Sequence, residues 1–120
     1  MGCDISLTVE VRRNGTWEPD YTVDAYHNRC YELFGILAGV RGNGPPLAEW
    51  RSLPDDSPLS HGEYSPLADT DYFGHTWYLL SELQAARERL AAADETFADY
   101  VAALAALGPP DEVRVLMWFD

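Results

Sequence analysis

The residues with chemistry to offer are guanidinium and aromatic groups. Arg29 and Tyr31 stand together at the start of an apolar segment with helical period, and Arg41 follows it. Trp50-Arg51 and His75-Thr76-Trp77 lie in a long irregular stretch, and Arg114 and Trp118 sit in the last apolar run. Guanidinium groups grip phosphates in bidentate fashion, and aromatic faces stack on nucleobases. The chain carries eight basic residues against twenty acidic ones, for a net charge of −12, and every base is arginine. In so acidic a chain an arginine is either paired with a carboxylate or reserved for a ligand. For any one of them the ordinary ion pair is the default. As a set, Arg29, Tyr31, Arg41, Trp50, Arg51, His75, Trp77 and Arg114 mark a ligand-binding hollow where the irregular stretch meets a sheet. Arg51 and His75 are expected to serve the ligand rather than the fold.

Other chemistries have thinner support. Asp69, Asp71 and His75 lie close together, with His61 and Glu63 upstream. Carboxylate and imidazole groups can hold a divalent cation or activate water, but no ligand spacing rule is met, and turn formation is the commoner role of such residues. No Gly-x-Ser-x-Gly, Walker phosphate loop or His-Glu-x-x-His is present, so catalysis is not expected and no cofactor is implied. Arg41-Gly42-Asn43-Gly44-Pro45 is only loosely like an anion-binding turn. Met1-Gly2-Cys3 formally fits an N-myristoylation pattern, but the strand pattern that begins at once leaves no free lead. Cys3 beside Asp4 would be a poor thiolate, and with Cys30 it reads as a reduced thiol.

The charge excludes easy binding to bulk nucleic acid or anionic membranes. The acids are scattered rather than blocked, so they favour solubility, with a DNA-like acidic face as the sharper alternative. No apolar run is long enough to span a membrane and no secretory leader is visible, which points to the cytoplasm. The absence of lysine and the abundance of alanine, glycine and proline suit a GC-rich coding sequence. A homo-oligomer is compatible with all of this.

Elements must place these groups. Ile5, Leu7, Val9 and Val11 alternate with Ser6, Thr8, Glu10 and Arg12, the pattern of a strand with one buried face. Asn14-Gly15 predicts a type I′ hairpin, with a return strand from Thr16 that Pro19 stops or kinks and that could resume from Tyr21 to Val23. A helix is expected from Arg29 to about Ala38, capped by Asn28 and ended by Gly39 and Gly42. Residues 41–77 hold five prolines, four glycines and five large aromatics. That composition predicts an ordered wrap with short turns or one short strand. A helix capped by Ser81 should run to about Ala92 and one capped by Asp94 should follow, before a final strand from Glu112 that is apolar on both faces and lies beside the first. The expected fold is a single α+β domain over residues 1–120. Its small, mainly antiparallel sheet contains both terminal strands and is packed by about three helices.

Several segments together resemble a family of small bacteriophage and actinobacterial proteins. That family opens Met-Gly-Cys-Asp-Ile-His, continues with a helix ending Ile-Leu-Ala-x-Val-Arg, and has a Pro-x-Ala-Glu-x-Arg-x-Leu-Pro-x-Asp loop. A His-Ser-Trp-Leu-like helix start and a Val-Arg-x-x-x-Trp-Phe-Asp ending follow. The matching stretches are Met1–Ile5, Arg29–Arg41, Pro46–Asp56, His75–Leu83 and Val113–Asp120, about half of the chain in consistent order. The resemblance implies that Cys3, Asp4, Arg29, Tyr31, Arg41, Glu49, Arg51, His75 and Trp77 are its polar positions. Ser6, where the pattern has histidine, and Gly74 weaken any metal or acid–base role. With the arginine–aromatic set, the phage kinship leads to an expected function: a non-catalytic protein that sequesters a nucleotide-like signalling molecule and so counters host defence. The alternatives are an acidic DNA mimic that inhibits a host protein, and a metal-dependent hydrolase.

Overall fold

The computed structural model describes residues 2–41 and 44–120. Four strands, β1 (Ile5–Arg13), β2 (Thr16–Pro19), β3 (Phe73–Leu79) and β4 (Val113–Phe119), form one sheet in the order β2-β1-β4-β3, and every pairing is antiparallel. Both terminal strands belong to the sheet, as expected, and the last lies beside the first at its centre. The four α-helices are α1 (Tyr31–Ala38), α2 (Leu80–Ala85), α3 (Arg87–Ala93) and α4 (Glu95–Leu104). The fold is α+β.

The β1–β2 hairpin turns through Asn14 and Gly15, both at positive φ (54° and 78°), which is the backbone a type I′ turn demands. The return strand stops at Pro19 and does not resume. Asp20 closes it instead: its N–H bonds Val9 O, and its carboxylate accepts from Thr22 N–H and Arg13.

The helices cover one face of the sheet. Val9, Val11, Val113, Val115, Met117 and Phe119 meet Leu33, Phe34, Leu37, Leu83, Leu90, Phe97 and Leu104 in one continuous core. Helix α1 starts later than expected. Cys30 rather than Asn28 precedes its first turn, and Gly39 (φ 69°) ends it with Val40 N–H returning to Phe34 O. The Gly42 part of that expected stop lies outside the described residues, as do Met1 of the lipid pattern and Gly42-Asn43 of the anion-turn resemblance. The single helix expected from Ser81 is two, broken at Ala86, and no residue in the stretch explains the break. It also begins at Leu80, because Leu79 still belongs to β3; the Glu82 carboxylate, not Ser81, takes the Leu79 N–H. Asp94 does cap α4, accepting from Thr96 N–H, and Tyr26 O–H donates to the same carboxylate while its ring meets Phe97 edge-on.

The opposite face is covered by the long proline-rich segment. From Pro45 to Trp50 it runs along the helices: Pro45 O accepts from Arg89, Leu47 N–H bonds Ile36 O, and Trp50 Nε1 donates to Ala38 O. At Arg51 it crosses the outer edge of β3. Beyond it, Leu53 and Ser57 are buried on the far side, and two short 3-10 turns (Pro58–Ser60 and Pro66–Ala68), each started by a serine side chain, carry it back to β3. β4 is therefore buried on both faces for most of its length. The expectation that β1 has one buried face is corrected at Glu10, which is wholly buried. Its nominally polar face is the floor for this segment.

Gly74 marks the join. It sits in the left-handed region (φ 67°) at a bulge between Phe73 and Thr76, and a Cβ there would lie 2.7 Å from the Phe119 ring. Conformation and space both demand glycine. Gly74→Ala should cost about 2–4 kcal/mol, since strain and overpacking add. A urea midpoint within error of the parent's would refute that requirement.

Asp20 gives the acid limb of stability a definite contributor. Its hydrogen bonds to Thr22, then Arg13, hold its carboxyl down at about 2, below the roughly 3.9 of an unfolded chain. A depressed folded value stabilises above the unfolded one and is lost as pH falls. Its contribution is complete above about pH 4 and disappears towards pH 2. Asp20→Asn should lower stability at neutral pH and flatten the thermal midpoint's fall between pH 4 and 2, roughly. An unchanged acid limb would assign it to other carboxylates.

Candidate functional site

The strand register places Glu10, Arg114 and Leu79 in one row across β1, β4 and β3, with Arg12 and Trp17 beyond them and Trp77 beside Leu116. Residues directly opposite share a face, so all of these project towards the long segment. Arg114 is 3% exposed and Glu10 0%. Arg114 Nε donates to Glu10 Oε1 at 2.8 Å, and Ser57 Oγ donates to Glu10 Oε2 at 2.6 Å. Arg114 Nη1 donates to Asp56 at 2.8 Å, whose side chain is 63% exposed. Nη2 lies 2.8 Å from the same Glu10 oxygen, yet no hydrogen bond of proper geometry reaches it.

Above the guanidinium lies an indole: Arg114 Cζ is 4.0 Å from the Trp17 ring centroid and 5.9 Å from that of Trp77. Arg12 stands 5.6 Å from Trp17 and Arg51 5.2 Å from Trp77. Arg12, Trp17, Arg114, Trp77 and Arg51 thus alternate cation and ring across the sheet, at distances where the quadrupole attracts the charge. Each arginine also has a carboxylate: Arg12 has Glu112 at 3.4 Å, Arg114 has Glu10, and Arg51 has Glu82. Trp17, Trp77, Leu79 and Arg114, with Pro54 to Asp56 of the long segment, enclose an open groove of about 510 Å³.

The expected site residues divide. Arg114 and Trp77 line this groove and Arg51 flanks it. Arg51 is deeply engaged: its Nη1 and Nη2 hold the two Glu82 oxygens at 2.7 Å, Nη1 also donates to Trp77 O, and its backbone N–H meets Thr76 Oγ1. The arginine in turn lowers the Glu82 carboxyl. Arg51 therefore ties the long segment to the β3 edge and to the start of α2. Trp50 is held at the end of α1 by Ala38 O, and a His75 ring nitrogen meets Pro66 O at 2.9 Å.

Arg29, Tyr31 and Arg41 gather at the other end of the sheet. Arg29 makes a two-point pair with Asp4, at 2.6 and 3.1 Å; the Tyr31 hydroxyl oxygen accepts from Cys3 N–H; and Arg41 lies 5.3 Å from the Tyr31 ring. Cys3 is buried, and burial, reinforced by Asp120 and Asp4 against the opposing Arg41, pushes its thiol up. Both cysteines are free thiols. The single hollow expected from the sequence is thus two separate groupings.

The metal expectation gains nothing: Asp69 Oδ1 accepts from Asp71 N–H in a local turn, and among the described residues no group of three or more histidine, cysteine, aspartate or glutamate side chains could hold an ion. No helix among them is long and apolar enough to cross a membrane. Trp17, Glu10 and Asp56 were missed as site residues. Trp17 was discoverable, because a hairpin pairing Arg12 with Trp17 puts the indole on the Glu10 face.

No protein family, no curated protein and no solved structure matches the chain. The resemblance to phage and actinobacterial proteins stays a likeness of motifs, and the groove must be judged on its own chemistry.

The buried ion pair makes a sharp prediction. Arg114→Leu alone strands a buried carboxylate and should cost about 3–5 kcal/mol, whereas Glu10→Leu with Arg114→Leu should regain most of that loss. Equilibrium urea unfolding measures both. A single variant within about 1 kcal/mol of the parent would show that Glu10 is not held charged by Arg114.

Proposed function

We propose that the protein is a non-catalytic binder of a small nucleotide-like ligand, held in the groove lined by Trp17, Trp77 and Arg114. The observation that carries this reading is a guanidinium 3% exposed, walled by two half-buried indoles and open on one side to a groove of ligand size. Indole faces suit the flat base, and the arginine edge suits a phosphate oxygen. The same chemistry suits a protein that withdraws a signalling nucleotide from a host defence, the role to which the phage resemblance leads.

Thermal unfolding and tryptophan fluorescence with nucleoside monophosphates, cyclic mononucleotides and cyclic dinucleotides test it. A ligand at about a hundred times its Kd adds about 2.7 kcal/mol, and the midpoint should rise by several degrees with Trp17 and Trp77 quenched. The ligand should be recovered intact after denaturation. Conversion to product would make the protein an enzyme, and no stabilisation by any of the three classes would end the nucleotide reading.

A further inference from the structure

We infer that Asp56 is a built-in stand-in for the ligand's anionic group, and that an oxyanion enters the groove by taking the place of the Asp56 carboxylate on Arg114. This rests on the binding reading above and adds what gates the site. The argument is one of which carboxylate can leave. Glu10 is fully buried and held from both sides by Arg114 and Ser57, so it cannot be exchanged. Glu82 grips both terminal nitrogens of Arg51 and also takes the Leu79 N–H at the start of α2, so its departure would loosen a helix end. Asp4 is as exposed as its partner Arg29, but no indole of the groove lies beside that pair. Among the described residues Asp56 alone combines a buried cation with an exposed anion at the groove's rim, its side chain held by Arg114 Nη1.

The donor open to exchange on Arg114 is Nη1, which Asp56 occupies at 2.8 Å. Nη2 is buried 2.8 Å from the Glu10 oxygen and stays with that pair. A phosphate oxygen can take the place of the Asp56 oxygen on Nη1. When Asp56 swings into water the Glu10–Arg114 pair keeps its charge balance, and the ligand anion inherits the position. The exchange breaks no covalent bond. It also sets selectivity. Asp55 and Asp56 make the rim acidic, so a bare anion gains little, and stacking between the indoles must supply the rest.

With Asp56 largely in solvent and Arg114 buried, the pair is at least as strong as an exposed one, and it lowers apparent affinity by at least about twofold. Titration calorimetry of adenosine monophosphate and guanosine monophosphate, each beside its nucleoside and beside inorganic phosphate, reads this directly in the parent and in Asp56→Asn. Circular dichroism verifies that both are folded. The variant should bind the monophosphates more tightly by that factor and the nucleosides unchanged. Nucleotide affinity equal to or below the parent's would remove the stand-in while leaving the binding reading intact. Nucleosides gaining by the same factor would make Asp56 a steric cover and overturn the inference. Absence of nucleotide binding by either protein would overturn the inference together with the reading beneath it.

Discussion

The structure depends on one buried charge pair. Glu10 and Arg114 face each other on the two central strands, and neither could remain there without the other. Desolvating two ions costs several kcal/mol each, and only close geometry with further hydrogen bonds offsets it. Those bonds come from residues far along the chain: Ser57 on Glu10, and Asp56 on the outer side of Arg114. The pair therefore cannot form until the long segment is laid over the sheet, and without the pair the segment loses its anchors at Ser57 and Asp56. This mutual requirement explains how so irregular a stretch acquires one position. Apolar burial on that side is modest, with Leu53 and Leu116 lying outside the main core.

The helical face obeys simpler rules, and it was the face most legible in the sequence. Alternation in β1, the Asn14-Gly15 turn, the Asp94 cap and the two-sided apolar character of β4 each have a local cause, and together they imply a sheet with both termini at its centre. Misplacements came where a tertiary contact overrode a local preference. Ser81 is a better helix cap than Leu79 by side chain, yet β3 runs through Leu79 and Glu82 takes the orphan N–H from within the helix. Asn28 is likewise a good cap, but its side chain turns to Asp94 while the helix begins two residues later.

The candidate site was legible in its parts and not in its assembly. Arginines and aromatics were recognisable as a set, but their partition into two groupings depends on where the segment crosses the β3 edge, and no local pattern encodes a crossing. Arg51 illustrates the difficulty. Read as a free cation in a loop it looks available for a phosphate. In place it satisfies the Trp77 carbonyl on an exposed edge and the Glu82 carboxylate at a helix start. Glu10 is the converse: an acid in an alternating strand reads as solvent-facing, and only its register opposite Arg114 reveals a buried partner.

Arginine is required at the centre of this arrangement for a geometric reason. A planar guanidinium can offer its face to an indole while its edges donate within the plane, and Arg114 does both, with Trp17 on its face and Glu10 and Asp56 at its edges. An ammonium group has no face and would have to give up one set of contacts. The alternation of cation and ring then confines what can enter the groove. On the proposed binding reading, a ligand beside Trp17 and Trp77 would have to be flat, because those rings already hold guanidinium partners. It must carry an oxyanion to improve on Asp56, because no arginine of the ladder lacks a carboxylate. Shape alone would admit many heterocycles, and charge alone would favour none over the chain's own aspartate. On the binding reading proposed above, the conjunction of the two points to an aromatic ring system bearing a phosphate or an equivalent anion.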